Sequence, residues 1–236
     1  MIPASLQSQY TPLARPPSAA RPAHVLLACT GSVASIKVPL MVQALLKYAH
    51  VHVHVVATKA SLHFFDKDSL SPAPYTTSDL AALNRAAGTP EEAALHAQVP
   101  RVCVWTDEEE WSSWTQVGDP VLHIELRRWA DLVLIAPCSA DTLAKICHGL
   151  CDNVLTSFLR ALSPSTPTWL FPAMNTLMYL HPFTAPQLEQ VQTQLGYQVY
   201  GPISKRLACG DLVGTGAMCE WKDIVAMVVD HFGLQL

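Results

Sequence analysis

Six short apolar runs punctuate the chain, at residues 24–30, 51–57, 101–105, 132–136, 168–171 and 198–200. Runs of this length, bounded by glycine, proline or hydroxyl residues, predict strands of a parallel sheet, and most are apolar throughout as strands buried on both faces are. Between them apolar positions recur at helical spacing over 33–47, 119–131, 143–148, 152–162, 185–195 and 221–232. Strand and helix alternate along the chain. That order predicts an α/β fold, a Rossmann-like doubly wound parallel six-stranded sheet with helices on both faces in a single domain.

The pattern fails in two places. Residues 1–22, rich in Pro, Ser and Ala, are expected to be a disordered tail ahead of a domain spanning 23–236. Residues 66–100 turn loop-like, with one weak helical patch around 80–87, and are expected to be an insertion that serves either as a lid or as decoration. The acidic run Asp107 to Glu110 is expected to be a solvated turn.

Composition narrows the class of function. The chain has 236 residues, a formal charge of −4 and 14% charged residues, so it presents no basic field for nucleic acid and no basic membrane-surface helix. No secretory signal and no stretch of spanning length is legible, and the seven cysteines are scattered, which suits a reducing, cytoplasmic setting. The partner is expected to be a small molecule or another protein.

Chemistry gathers where the predicted strands end, the edge at which open α/β sheets bind ligands. Gly31-Ser32 follows the first strand without the further glycines of a dinucleotide fingerprint. Ser32 either helps a helix N-terminus hold a phosphate or merely caps the helix. The second strand carries His50, His52 and His54 on one face. A metal needs more ligands than these supply, so a solvent-accessible strand face with polar residues is the expectation. Cys147, His148 and Cys151 lack a fourth ligand, and no metal site is expected there. His123 stands in the first turn of a predicted proline-started helix, where a base could serve. Ser139 to Thr142 place small and hydroxyl residues after the fourth strand. After the fifth comes Pro172-Ala-Met-Asn-Thr-Leu-Met-Tyr179, in which two methionines bracket Asn175. Lys205 to Met218, with three glycines and Cys209 after two cations, is expected to be a flap that carries a thiol to a ligand.

Taken together, these segments resemble the homo-oligomeric flavin-containing cysteine decarboxylases, and among them the enzymes that act on phosphopantothenoylcysteine. The carriers are Gly31-Ser32-Val33-Ala34, His123 to Asp131, Ala136-Pro137 with Ser139 to Thr142, Asp152-Asn153, the Pro172 octet and the segment from Lys205 to Met218. The resemblance implies FMN held near Gly31, Ser32, Val33, Thr58, Ser61, Ser139, Ala140, Asp141, Thr142 and Ala173, in sites shared between protomers of a homotrimer, or of a hetero-oligomer with a related subunit. It implies His123, Asn175 and Cys209 as catalytic groups, and Arg206, Ala208 and Met218, beside Asn175, as the substrate clamp. The reaction it implies is decarboxylation of 4′-phosphopantothenoylcysteine to 4′-phosphopantetheine, in the making of coenzyme A. A flavin suits such a reaction, because oxidising the thiol to a thioaldehyde creates the electron sink that the departing carboxylate needs. Asp141 stands where the family has asparagine, and a carboxylate accepts but does not donate. Relatives that inhibit a phosphatase as regulatory subunits, or that decarboxylate a peptidyl cysteine, are the alternatives the resemblance brings with it.

Overall fold

The computed structural model describes residues 17–71, 75–205 and 214–236. Strands β1 (Ala23–Cys29), β2 (Val51–Ala57), β3 (Val102–Trp105), β4 (Leu132–Cys138), β5 (Thr168–Pro172) and β6 (Gln198–Val199) form one parallel sheet in the order β3-β2-β1-β4-β5-β6. The expected doubly wound fold is therefore present. Strands β7 (Ile203–Lys205) and β8 (Gly214–Ala217) pair antiparallel as a separate ribbon that the apolar pattern does not announce.

The helices in chain order are α1 (Val38–Leu45), α2 (Lys67–Leu70), α3 (Thr77–Ala86), α4 (Glu92–His96), α5 (Asp107–Ser112), α6 (Leu122–Trp129), α7 (Ala140–His148), α8 (Val154–Ala161), α9 (Thr176–Tyr179), α10 (Thr184–Leu195) and α11 (Trp221–Phe232). None is long and apolar enough to cross a membrane. One face of the sheet packs on α1 and α11 through Val42, Leu45, Ile224 and Val228. The other packs on α3, α6, α8 and α10 through Leu80, Leu126, Phe158 and Val191. Successive strand residues point to opposite faces, so Val25 and Leu27 enter the first layer while Leu26 and Ala28 enter the second.

Three expectations change. The segment 66–100 holds α2, α3 and α4, and Leu80 and Leu83 of α3 are fully buried, so this stretch completes the second core layer. Its Ser, Thr and Ala content hides a helix opened by the Thr76–Asp79 capping box. Of the three histidines expected on an accessible face, only His50, which stands just before β2, is exposed. His54 is fully buried and His52 nearly so, and His24 of β1 and His96 of α4 join them. The rings of His24 and His54 stack on the Trp129 indole at 4.5 and 3.9 Å between centroids, while His96 lies 5.0 Å from both His24 and His52. Trp105 Nε1 donates to His54 Nδ1 at 3.2 Å, and the Asp131 carboxylate accepts the His24 backbone N–H at 3.0 Å. The acidic run is α5 rather than a solvated turn, for reasons that bear on His123 below.

Candidate functional site

The strand order reverses direction between β1 and β4, which opens a crevice beyond their carboxyl ends. Thr30 stitches the two ends together. Its hydroxyl donates to the Pro137 carbonyl and accepts the Ser139 N–H, both at 2.8 Å. Above this stitch lies a cleft of about 480 Å³.

Two helical N-termini meet at the cleft. Ser32 accepts the Ala34 N–H at 3.5 Å and starts the 3₁₀ turn Val33–Lys37 that leads into α1. Ser139 accepts the Thr142 N–H at 3.2 Å and starts α7. The two readings of Ser32 are therefore not exclusive, since a capping hydroxyl can also stand beside amides that favour an anion. Gly31 has no room for a side chain, because a Cβ there would meet that of Ala60 at 2.8 Å. Sequence-selected Gly31, Ser32, Val33, Ser139, Ala140, Ala173, Asn175 and Met218 all line the cleft.

The far wall is built on β5. Asn175 ends the extended segment after β5 and caps α9, its Oδ1 accepting the Leu177 N–H at 2.8 Å. Met174 is buried beside it, and its backbone N–H donates to the Gly216 carbonyl at 2.9 Å, which seats β8 directly on the β5 end. Gly216 has φ +143°, and a Cβ there would meet the Met174 carbonyl oxygen at 2.4 Å, so this approach needs glycine. Phe64, Trp221 and Cys219 complete the wall. Burial pushes the Cys219 thiol up, which keeps its proton in place. None of these three carries a local motif, and only the closing of the chain brings them here.

Other sequence-selected residues stand around the cleft without lining it. Thr58 donates to the Cys29 carbonyl, and the buried Ser61 hydroxyl donates to the Thr58 carbonyl, so both brace the turn after β2. Thr142 is buried behind Ser139. Asp141 is exposed and pairs with Lys145 at 3.3 Å. Arg206, Ala208 and Cys209 lie outside the described residues.

His123 is not on the cleft wall of its own chain. Helix α6 begins at Leu122 with no side-chain cap of its own, so Pro120 precedes the helix rather than opening it. His123 is 26% exposed, and its Nδ1 lies 2.5 Å from a Glu110 carboxylate oxygen. The other Glu110 oxygen accepts the His123 backbone N–H at 3.0 Å. Glu110 was hidden in the sequence because its partner lies thirteen residues away, across a polar connection.

The site is a largely apolar, sulfur-walled slot that offers the amides and hydroxyls of two helix starts and the side-chain amide of Asn175, with Lys37 and Glu220 also on its lining. A planar heterocycle with an anionic tail fits that chemistry. Comparison with known proteins bears on the same point. The Flavoprotein family model matches residues 13–233. A phosphopantothenoylcysteine decarboxylase from Arabidopsis thaliana is 48% identical over 200 residues, covering 85% of this chain and 80% of that protein. The one from Mus musculus is 42% identical over 212 residues, covering 90% and 88%. Among solved structures, a phosphopantothenoylcysteine decarboxylase mutant complexed with pantothenoylaminoethenethiol superposes with a TM-score of 0.73 at 44% identity, covering 90% of this chain and all of that one. The FMN-binding protein AtHal3 superposes with a TM-score of 0.68 at 46% identity, covering 88% and 95%. With a matching slot at the switch point of the sheet and these likenesses over most of its length, the chain belongs to the flavoprotein family that contains the phosphopantothenoylcysteine decarboxylases.

Proposed function

We propose that the chain is an FMN-dependent decarboxylase that converts 4′-phosphopantothenoylcysteine to 4′-phosphopantetheine, a step in the making of coenzyme A in the cytoplasm. The observation that carries this reading is Asn175 on the wall of a slot that also holds two helical N-termini. Gly31, Ser32, Val33, Ser139, Ala140 and Ala173 would hold the cofactor, with Thr58, Ser61, Asp141 and Thr142 shaping the turns behind them. When bound, FMN supplies a reversible hydride acceptor that makes the cysteinyl thiol a thioaldehyde, so that loss of carbon dioxide leaves a delocalised enethiolate.

The chain's own groups do the rest. Asn175 donates its amide N–H to the substrate carboxylate while its oxygen keeps the α9 cap, which fixes the direction of the donor. Met174, Met178 and Met218 give an adaptable apolar wall that excludes water. Arg206, Ala208 and Met218 clamp the substrate, and Cys209 supplies a proton to the enethiolate carbon in the return half. Because His123 does not line the cleft of its own chain, a second copy brings its His123 to the site. That requirement supports a homotrimer with shared sites, or a hetero-oligomer with a related subunit.

The test is to purify the protein, record its flavin spectrum and follow carbon dioxide release from phosphopantothenoylcysteine with and without added FMN. A yellow protein that releases carbon dioxide without nicotinamide or pyruvate is the expected result. A colourless protein with no release, even with FMN added, overturns the reading.

A further inference from the structure

Helix α5 starts one residue after β3 ends, and it is held hard in place. Thr106 and Glu109 form a capping box, and Lys67 reaches both Glu108 and Glu109 at 3.4 and 3.3 Å. Asp107 points across to α8, where it accepts the Val154 N–H at 2.7 Å. Glu110, on the same short helix, is left with a side chain only 9% exposed against His123.

We propose that Glu110 is the positioning residue for His123, holding the imidazole as the Nδ1–H tautomer so that Nε2 carries the free lone pair. One carboxylate grips the residue at two points, the backbone N–H and the ring nitrogen, and thereby fixes the side-chain rotamer as well as the ring face. A carboxylate only accepts, so the ring nitrogen beside it carries the proton. In the neutral ring so held, Nε2 is the nitrogen that accepts a proton. Resting on the decarboxylase reading, this decides between two duties open to His123. The substrate S–H bond breaks toward Nε2, the ring becomes an imidazolium, and the Glu110 carboxylate balances the new charge. Placing the substrate carboxylate needs a donor at Nε2, which the neutral Nδ1–H ring does not have.

A cap alone would also explain one of the two bonds, since α6 has no side-chain cap at Val121. The experiment separates the two roles. Glu110→Gln retains one acceptor oxygen and loses the other, and Val121→Ser added to it supplies a local cap. In protein labelled with ¹⁵N-histidine, the His123 signal, assigned by its loss in His123→Gln, is expected to report the Nδ1–H form in the parent and a mixture in Glu110→Gln. Turnover in Glu110→Gln is expected to fall by about tenfold or more, with KM within about twofold and flavin content unchanged. The added serine is expected to restore the melting temperature but not turnover. Recovery of turnover together with stability, or an Nε2–H form in the parent, overturns the proposal. The tautomer signal needs no catalysis, so a parent protein without decarboxylase activity would remove the functional reading while this measurement still decides the role of Glu110.

Discussion

At the carboxyl ends of β1 and β4 the polar groups are small: Thr30, Ser32 and Ser139, each spending part of its hydrogen-bonding capacity on the backbone and leaving a cleft above. At the amino ends of β1 and β2 the polar groups are large, and four imidazoles with the Trp129 indole fill the space completely. Both ends are rich in residues that catalysis uses. Only the first is built to receive something. The second is a packed core in which His24 and His54 stack as flat bodies, the Nδ1 of each meeting one partner, Trp129 O and Trp105 Nε1 respectively. The residue types alone therefore do not distinguish a site from a core. What distinguishes them is whether a helix covers the strand end, as α4 and α6 do at one end and none among the described residues does at the other.

The sharpest way to break this contrast is Trp129→Ala, which removes the surface on which two buried imidazoles stack. A loss of about 3–5 kcal/mol in denaturant unfolding is expected, with flavin content preserved in the fraction that stays folded. An effect below about 1 kcal/mol would mean that the histidine end is not a close-packed core.

Next in size is Asn175→Asp. The new carboxylate oxygen still accepts from Leu177, so stability should change little, whereas the lost amide N–H should raise the barrier by about 1.5–3 kcal/mol, read as turnover. Equal loss of stability and turnover would show Asn175 to be a cap and nothing more.

The smallest expected effect is on acid stability. Burial, helped by the His96 imidazole and the Arg101 guanidinium, pushes His52 down to about 3, burial alone pushes His96 down to about 4, and His24 and His54 are held well below the ordinary value for the same first reason. An unfolded histidine titrates near 6.5. Below that pH the unfolded chain takes up protons that the folded core refuses, so stability falls as pH drops from 6.5 toward about 4. Asp131 opposes this, because burial pushes its carboxyl up to about 7 and its contribution is instead lost as pH rises through that value. One carboxyl stands against four imidazoles, and the histidines set the sign. His52→Gln should flatten the dependence below pH 6.5 by up to about 1.4 kcal/mol per pH unit, measured by denaturant midpoints across pH. An unchanged slope would mean that His52 is protonated in the fold.

Much of the architecture was legible because apolar runs and helical periodicity are local. Helix α11 was expected over 221–232 and found there, and each of the six sheet strands falls within two residues of its expected bounds. The half of the cleft built on backbone turns was equally open to view, since glycine and serine at strand ends announce themselves in Gly31, Ser32 and Ser139. The histidines were misjudged because alternation tells which face a side chain takes and not what lies over it. Their cover comes from α4 and α6, which lie well beyond β2 along the chain and are separated from it by α2, α3 and, for α6, β3. Glu110 is hidden for the same reason, and the patch around 80–87 shows α3 only weakly because small polar residues give a faint periodic signal even where Leu80 and Leu83 are fully buried.

The acidic run in α5 has a consequence for anyone reshaping the surface of this protein. By composition it is the obvious place to swap charges for solubility or crystallisation. Yet Asp107 and Glu110 each hold the start of a different helix, α8 and α6, and Glu108 and Glu109 share one lysine. Charge reversal across these four positions would put cations against two helix N-termini at once. A one-and-a-half-turn helix thus works as a two-pronged brace, and surface redesign should leave it alone.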